Sequence, residues 1–409
     1  MITTEQELIA ALAAGGEVLC DSGITIALSQ TMDVTVPCRI VGGRFTRSTG
    51  PAFEVTTSDV EFDGVHIAGG GTAAGYDISQ KLIYVRGTKG AALSGISVHH
   101  CTLTQSRGDN VWLEWCTGSA VHDNVITNYL YSGVMVISGI RITVSGNTIA
   151  DAPLSSGVVN TYGVALTDLS NDAADRSRHC TVVGNTVSLV DWEGIETHGG
   201  DGLTITGNTV LGCPRGIALV VGNQTQTVAP TNCLVAGNTV NAAGMRQPQL
   251  AGIYLAGPAN GPATASATVV GNQIIGYTTP FNTSSWDRGN TYVGNNSEPF
   301  VNWTPITIGA DFVAHGTYPP QYRVDGDVVH LRGGVIPKSG GPVTRSQVGS
   351  LPKAAAWPTV LTVVGFVKGS NPAAGNGTLA VTTTGDLQLL YGSGTDSYTY
   401  FLHGSYVAG

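Results

Sequence analysis

The chain has 409 residues, of which only 11% are charged and 42% hydrophobic, with 56 glycines and a net charge of −9. No basic run occurs, which argues against nucleic acid as a partner and against binding to an anionic membrane surface. The opening MITTEQELIAALAAGG has neither a basic leader nor a long apolar stretch, so neither a signal peptide nor membrane insertion is expected.

Thr4-Glu5-Gln6-Glu7 has the pattern of a capping box, and Leu8, Ile9 and Leu12 form one apolar stripe. Residues 1–16 are therefore expected to be a short capping helix ended by Gly15-Gly16. Strand phrases follow at once, such as CRIVGG and VEFDGVHI. From Asn124 onward an asparagine returns in one phrase: Asn124, Asn147, Asn185, Asn208, Asn238, Asn272 and Asn295. Successive gaps are 23, 38, 23, 30, 34 and 23, a floor of 23 plus insertions. Apolar residues around each Asn alternate with polar ones, which is strand periodicity. A unit of this length cannot bury its apolar face alone and must stack on copies of itself. Residues 17–298 are thus expected to form a parallel β-helix of roughly ten turns, about 50 Å long at ~4.8 Å per layer. The asparagines would join along its axis as an amide ladder.

A second phrase runs between the asparagines, at Gly133, Gly163, Gly194, Gly216 and Gly252, with Asn110 as a variant. Each turn therefore has at least two strands. Insertions at 170–178 and 221–231 should be protruding loops. The seven cysteines lack metal-ligand spacing and are taken as small buried hydrophobes.

The repeat stops after Asn296. Residues 299–409 show paired alternating strands, with Asp325-Gly326 and Gly385 at hairpin tips, and are expected to be an antiparallel β-sandwich or jelly roll. This domain would also cap the open end of the solenoid.

Outward positions of the Gly phrase stack from turn to turn. One row has Trp112, Met135, Ala165, Glu196, Ala218 and Tyr254. The next has Glu114, Ile137, Thr167, His198, Val220 and Ala256. A ribbon of aromatics and carboxylates suits a long sugar polymer, since rings stack on aromatics and hydroxyls bond to carboxylates. Trp112, Glu114, Tyr162, Trp192, His198 and Tyr254 are the candidate glycan-binding residues. Trp112 is expected on the surface ribbon, with Trp115 on the opposite face. Glu193, Glu196 and Asp201 lie in the densest acidic run and are candidates for the two-carboxyl chemistry of glycoside cleavage. Arg215 stands one turn on from Glu193, so a plain cross-strand ion pair also explains that glutamate. Asp168, Asn171, Asp172 and Asp175 offer oxygen ligands, but without calcium-loop spacing. His99-His100 gives two imidazoles where a metal needs more. No metal and no cofactor are expected.

With its capping helix and GNT-type phrases, the solenoid resembles the right-handed β-helix of pectate-lyase-like families, which many phage tailspikes share. The stretch from Trp303 through Tyr322-Arg-Val-Asp-Gly-Asp to Gly404-Ser-Tyr resembles a module that ends many phage tail and fibre proteins. The polygalacturonase pattern of NTD, DD, GHG and RIK is not met. The resemblance implies a homotrimeric virion spike, assembled in the host cytoplasm, with other tail proteins as partners and a host surface glycan as ligand. With the helix beginning by residue 4, no separate virion-docking domain is expected before it. The expected function is host polysaccharide binding, with depolymerisation by hydrolysis or elimination as its enzymatic form. The alternatives are a non-enzymatic structural or decoration fibre and a stand-alone polysaccharide lyase or hydrolase.

Overall fold

Thr4 caps the helix Glu5–Ala14: its hydroxyl accepts from the Glu7 amide, and the Glu7 carboxylate accepts from the amides of Thr3 and Thr4. Leu8 and Leu12 are buried under it, against the first turns. In this computed structural model the described residues are 1–155, 160–168, 173–222, 228–256, 266–282, 291–298, 304–316, 319–325, 328–338, 347–351, 362–369, 376–391 and 400–407. They fall into two compact units, Met1–Pro299 and Phe300–Gly409.

The first unit is a right-handed parallel β-helix. Each regular turn has three strands. Two short ones flank the repeated asparagine, as in Thr143–Ser145 and Thr148–Ala152 around Asn147. The third is the Gly-phrase strand, and ten of these stack in parallel from Met32–Val34 to Phe281–Asn282. The sequence pattern merges the two short strands into one phrase. They separate because the residue before the asparagine takes positive φ and turns a corner, for example Gly146 at 63°.

The corner asparagines form a continuous ladder. Asn124 donates to Asn147, and the chain of amides continues through Asn185, Asn208, Asn238 and Asn272 to Asn295, every link 2.9–3.0 Å. Each interior amide is fully used. The Oδ1 of Asn185 accepts from the backbone and side-chain amides of Asn147, while its Nδ2 donates to Val144 and Asn208. Polar groups buried this deeply are tolerable only when so satisfied. All seven cysteines are buried and unpaired. Among the described residues no helix is long and apolar enough to cross a membrane.

The second unit is an antiparallel β-sandwich built from one continuous sheet. Gln321–Asp325 pairs with Val328–Pro337, and Asn376–Val381 with Asp386–Tyr391. Gly385, at φ 78°, turns the second hairpin. Gly326 and Trp303 lie outside the described residues. Val329, Leu331 and Val335 share a core with Leu379, Val381 and Leu387, so the sheet folds over on itself.

Candidate functional site

The Gly phrase fixes which side chains share the outer face of its sheet. A Cβ on Gly133, Gly163, Gly194, Gly216 or Gly252 would collide with a core methyl of Ile149, Val187, Val210, Val240 or Ile274. The glycine and the apolar residue after it therefore both face the core. The residue before the glycine then joins the residue two after it on the outer face. Glu193 and Glu196 meet this way, in the strand Glu193–His198. Glu193 sits between Tyr162 and Arg215 in register, and Glu196 between Ala165 and Ala218.

That face is far less open than the sequence suggests. Trp112, Met135, Ile137, Tyr162 and Ala165 are all buried, in a cluster edged by Tyr84, Tyr131 and Trp192. Trp112 is not a free platform: Lys81 Nζ lies 4.5 Å from its ring centre, and its indole donates to Glu114 at 3.3 Å. Glu114 also accepts from Tyr84 Oη at 3.0 Å. Tyr162 Oη accepts from Asn160, and its ring meets Tyr131 edge to face. Trp192 and Tyr254 remain partly exposed and clamp the Arg215 guanidinium, at 4.5 and 4.4 Å from their ring centres. Arg215 in turn donates to Glu193 at 2.7 Å, so the cross-strand ion pair exists. Burial raises the Glu193 carboxyl, and the Arg215 charge opposes that rise.

Glu196 has no such partner. It is 1% exposed, and its Oε2 lies 3.2 Å from His198 Nε2, an approach that does not complete a hydrogen bond. Burial holds its carboxyl well above the usual range, and the charges of Glu193 and Asp168 add to this. His198 contacts the Val221 carbonyl through Nδ1 at 2.8 Å; with Nδ1 as donor, the lone pair of the neutral ring is on Nε2. Burial lowers the imidazole, against that hydrogen bond. Both shifts run toward the uncharged forms of the two groups.

Asp168 completes the group. It is buried, neither of its oxygens has a partner among the described residues, and burial together with Asp175 raises it to about 6. It lies just past the strand Tyr162–Thr167, and its charge reaches Glu196. The sequence presents Asp168 only as an oxygen ligand in an insertion. Its place directly after Thr167, beside the His198 row, is the signal for its role. Asn171 and Asp172 of that insertion lie outside the described residues, as do 223–227 of the other. Asp175 instead pairs with Lys89 at 2.8 Å.

Asp201 stands apart from the two glutamates. It accepts from Thr231 and Asn232 and pairs with Arg176 at 3.4 Å. Burial pulls its carboxyl up, but these hydrogen bonds and the arginine hold it below its ordinary value. Two turns before Tyr162, Asp109 is a further buried carboxyl on the outer face, raised to about 7 by burial against the Lys81 charge. It accepts from Ser132. Beside it, Asn110 replaces the glycine of the repeat and has no side-chain partner among the described residues.

The sequence matches the model of the right handed beta helix region family over residues 18–187 and 54–240. The Dettilon tailspike protein gp208 superposes with a TM-score of 0.51 at 13% identity, covering 98% of this chain and 89% of that one. Tailspike protein 2 of bacteriophage CBA120, as its enzymatically active domain, gives 0.46 at 13% identity, over 98% and 67%. The polygalacturonase from Erwinia carotovora ssp. carotovora gives 0.49 at 11% identity, over 72% and 90%. No curated protein sequence matches. At these identities the likeness is one of fold.

Proposed function

We propose, on the premise that this chain belongs to the right-handed β-helix family, that it is a phage tailspike protein that binds a host surface polysaccharide on the Gly-phrase sheet. The observation that carries this reading is the buried pair Glu196 and Asp168: Glu196 Oε2 and both Asp168 oxygens lack hydrogen-bond partners among the described residues. Unpaired buried carboxyls destabilise a fold and persist where a ligand completes them. A polysaccharide supplies hydroxyl donors in series, and Trp192 and Tyr254 edge the same face with partly exposed rings. The C-terminal resemblance to fibre-ending modules supports a homotrimer on the virion tail, which sedimentation of the full chain tests.

Calorimetric titration with host envelope polysaccharide tests binding. Wild type should bind, and Asp168→Ala should weaken binding at least tenfold while keeping the fold. Calcium alone raising the melting temperature through Asp168, with no glycan bound, would contradict the reading.

A second reading, cleavage, is favoured by one observation: two neighbouring buried carboxyls are both shifted upward by their surroundings. Burial and two neighbouring carboxylates hold Glu196 well above the usual carboxyl range, while Asp168 is raised to about 6. Two carboxyls shifted in this way fit an acid that protonates a leaving glycosidic oxygen and a base that activates water. New saturated reducing ends from wild type, absent with Glu196→Gln, would establish it.

A further inference from the structure

The histidine pair on the ladder sheet gains a third ligand from the turn before it. His99 ends the strand Ser97–His99, and Asp63 ends Val60–Asp63, the strand paired with it in register. His99 Nδ1 and His100 Nδ1 lie 2.8 Å apart, and Asp63 Oδ1 is 3.5 Å from the first and 3.6 Å from the second. A tetrahedral ion with bonds of ~2.0–2.1 Å sets its ligand atoms ~3.3 Å apart, so these three atoms already outline one face of such a site.

The surroundings aim those atoms. His99 Nε2 is 2.9 Å from Glu61 Oε1. With Nε2 as the donor, the Nδ1 lone pair turns toward the trio, which is the carboxylate–histidine arrangement that orients metal ligands. Arg39 takes Asp63 Oδ2 at 2.6 Å and Glu61 Oε1 at 3.0 Å, leaving Asp63 Oδ1 for the trio. His122 stacks on His99 at 4.9 Å but turns its own Nδ1 to Asp123. The Cys101 thiol donates to the carbonyls of Phe62 and His99 and is no ligand.

The backbone gives an independent mark. The corner after the first short strand has positive φ at Gly64, His100, Asp123, Gly146, Gly184, Gly207, Gly237, Gly271 and Gly294. Glycine is the ordinary choice there, and a side chain in that conformation is strained. His100 and Asp123 replace that glycine in adjacent turns, both at the histidine cluster.

We propose that Asp63, His99 and His100 bind one divalent transition-metal ion of the zinc class, with a fourth position open to solvent beside the exposed His100. Two imidazoles and one carboxylate suit such an ion better than calcium or magnesium, which take oxygen donors.

The test uses the full chain stripped with chelator, titrated with Zn²⁺ by calorimetry and with Co²⁺ by visible absorption. Wild type should take up one Zn²⁺ per chain, give the absorption of four-coordinate cobalt, and melt at a higher temperature with zinc. His100→Gly restores the corner residue of the other turns. It should melt above metal-free wild type, lose the zinc shift, and bind Zn²⁺ at least tenfold more weakly. Asp63→Asn should weaken binding while leaving the corner untouched. Equal zinc affinity in wild type and His100→Gly, or no uptake by wild type, would overturn the proposal. Neither outcome bears on glycan binding, which has its own readout.

Discussion

Two buried polar arrays run through the same solenoid and obey opposite rules. The corner asparagines from Asn124 to Asn272 are buried, and every interior amide donates and accepts in full. The carboxyls of Glu196 and Asp168 are buried as deeply, yet Glu196 Oε2 and both Asp168 oxygens have no hydrogen-bond partner among the described residues. The first array hands each turn to the next and contributes to stability. The second withholds stability, which a fold tolerates where a ligand is to be met. Buried polarity alone therefore says nothing about function; whether its hydrogen bonds are complete does.

The sharpest break in the comparison is Asn185→Ala. It removes the partner of the Asn147 backbone amide, of one side-chain N–H of Asn147 and of the Val144 carbonyl, while Asn208 Oδ1 keeps only the backbone amide of position 185. At about 1–3 kcal/mol per stranded group, and less than additively, the loss should reach on the order of 3–5 kcal/mol in guanidinium unfolding. Next is Arg215→Ala. It leaves Glu193 buried without its counter-charge and should cost about 3 kcal/mol, a loss that Glu193→Gln in the same chain should partly recover.

Asp168→Asn runs the other way. Its carboxyl is raised to about 6, above the ~3.9 of an unfolded chain. The folded state therefore binds the proton more readily. Stability from this group is present below ~3.9, falls as pH rises to about 6, and is flat above. The substitution should thus stabilise by about 1–3 kcal/mol at pH 8 and by nothing measurable at pH 3. Asp201→Ala is the smallest. It removes an ordinary satisfied carboxylate and should lower stability by about 1–2 kcal/mol at pH 7 with glycan binding unchanged.

The solenoid was legible because its signals are local and repeated: one asparagine per turn, one glycine per strand, a capping box at the start. The pairing of Glu193 with Arg215 was legible from register alone. The closure of the outer face was not. Alternation tells which way Trp112 points, but not that Lys81 lies over its ring. Asp168 looks like an insertion residue in the sequence because its partner row, His198 and Glu196, arrives a full turn later. The Asp63–His99–His100 trio escaped for the same reason, with its third ligand in the preceding turn, where spacing is irregular.

The central claim is that the Glu196 carboxyl is buried without a counter-charge for ligand chemistry, at the expense of the fold. One variant, Glu196→Gln, tests it when unfolding and glycan handling are both measured at pH 7.5. The account predicts a protein at least as stable as wild type that has lost polysaccharide binding or cleavage. A variant that is clearly less stable, or one that handles the glycan as wild type does, would contradict it.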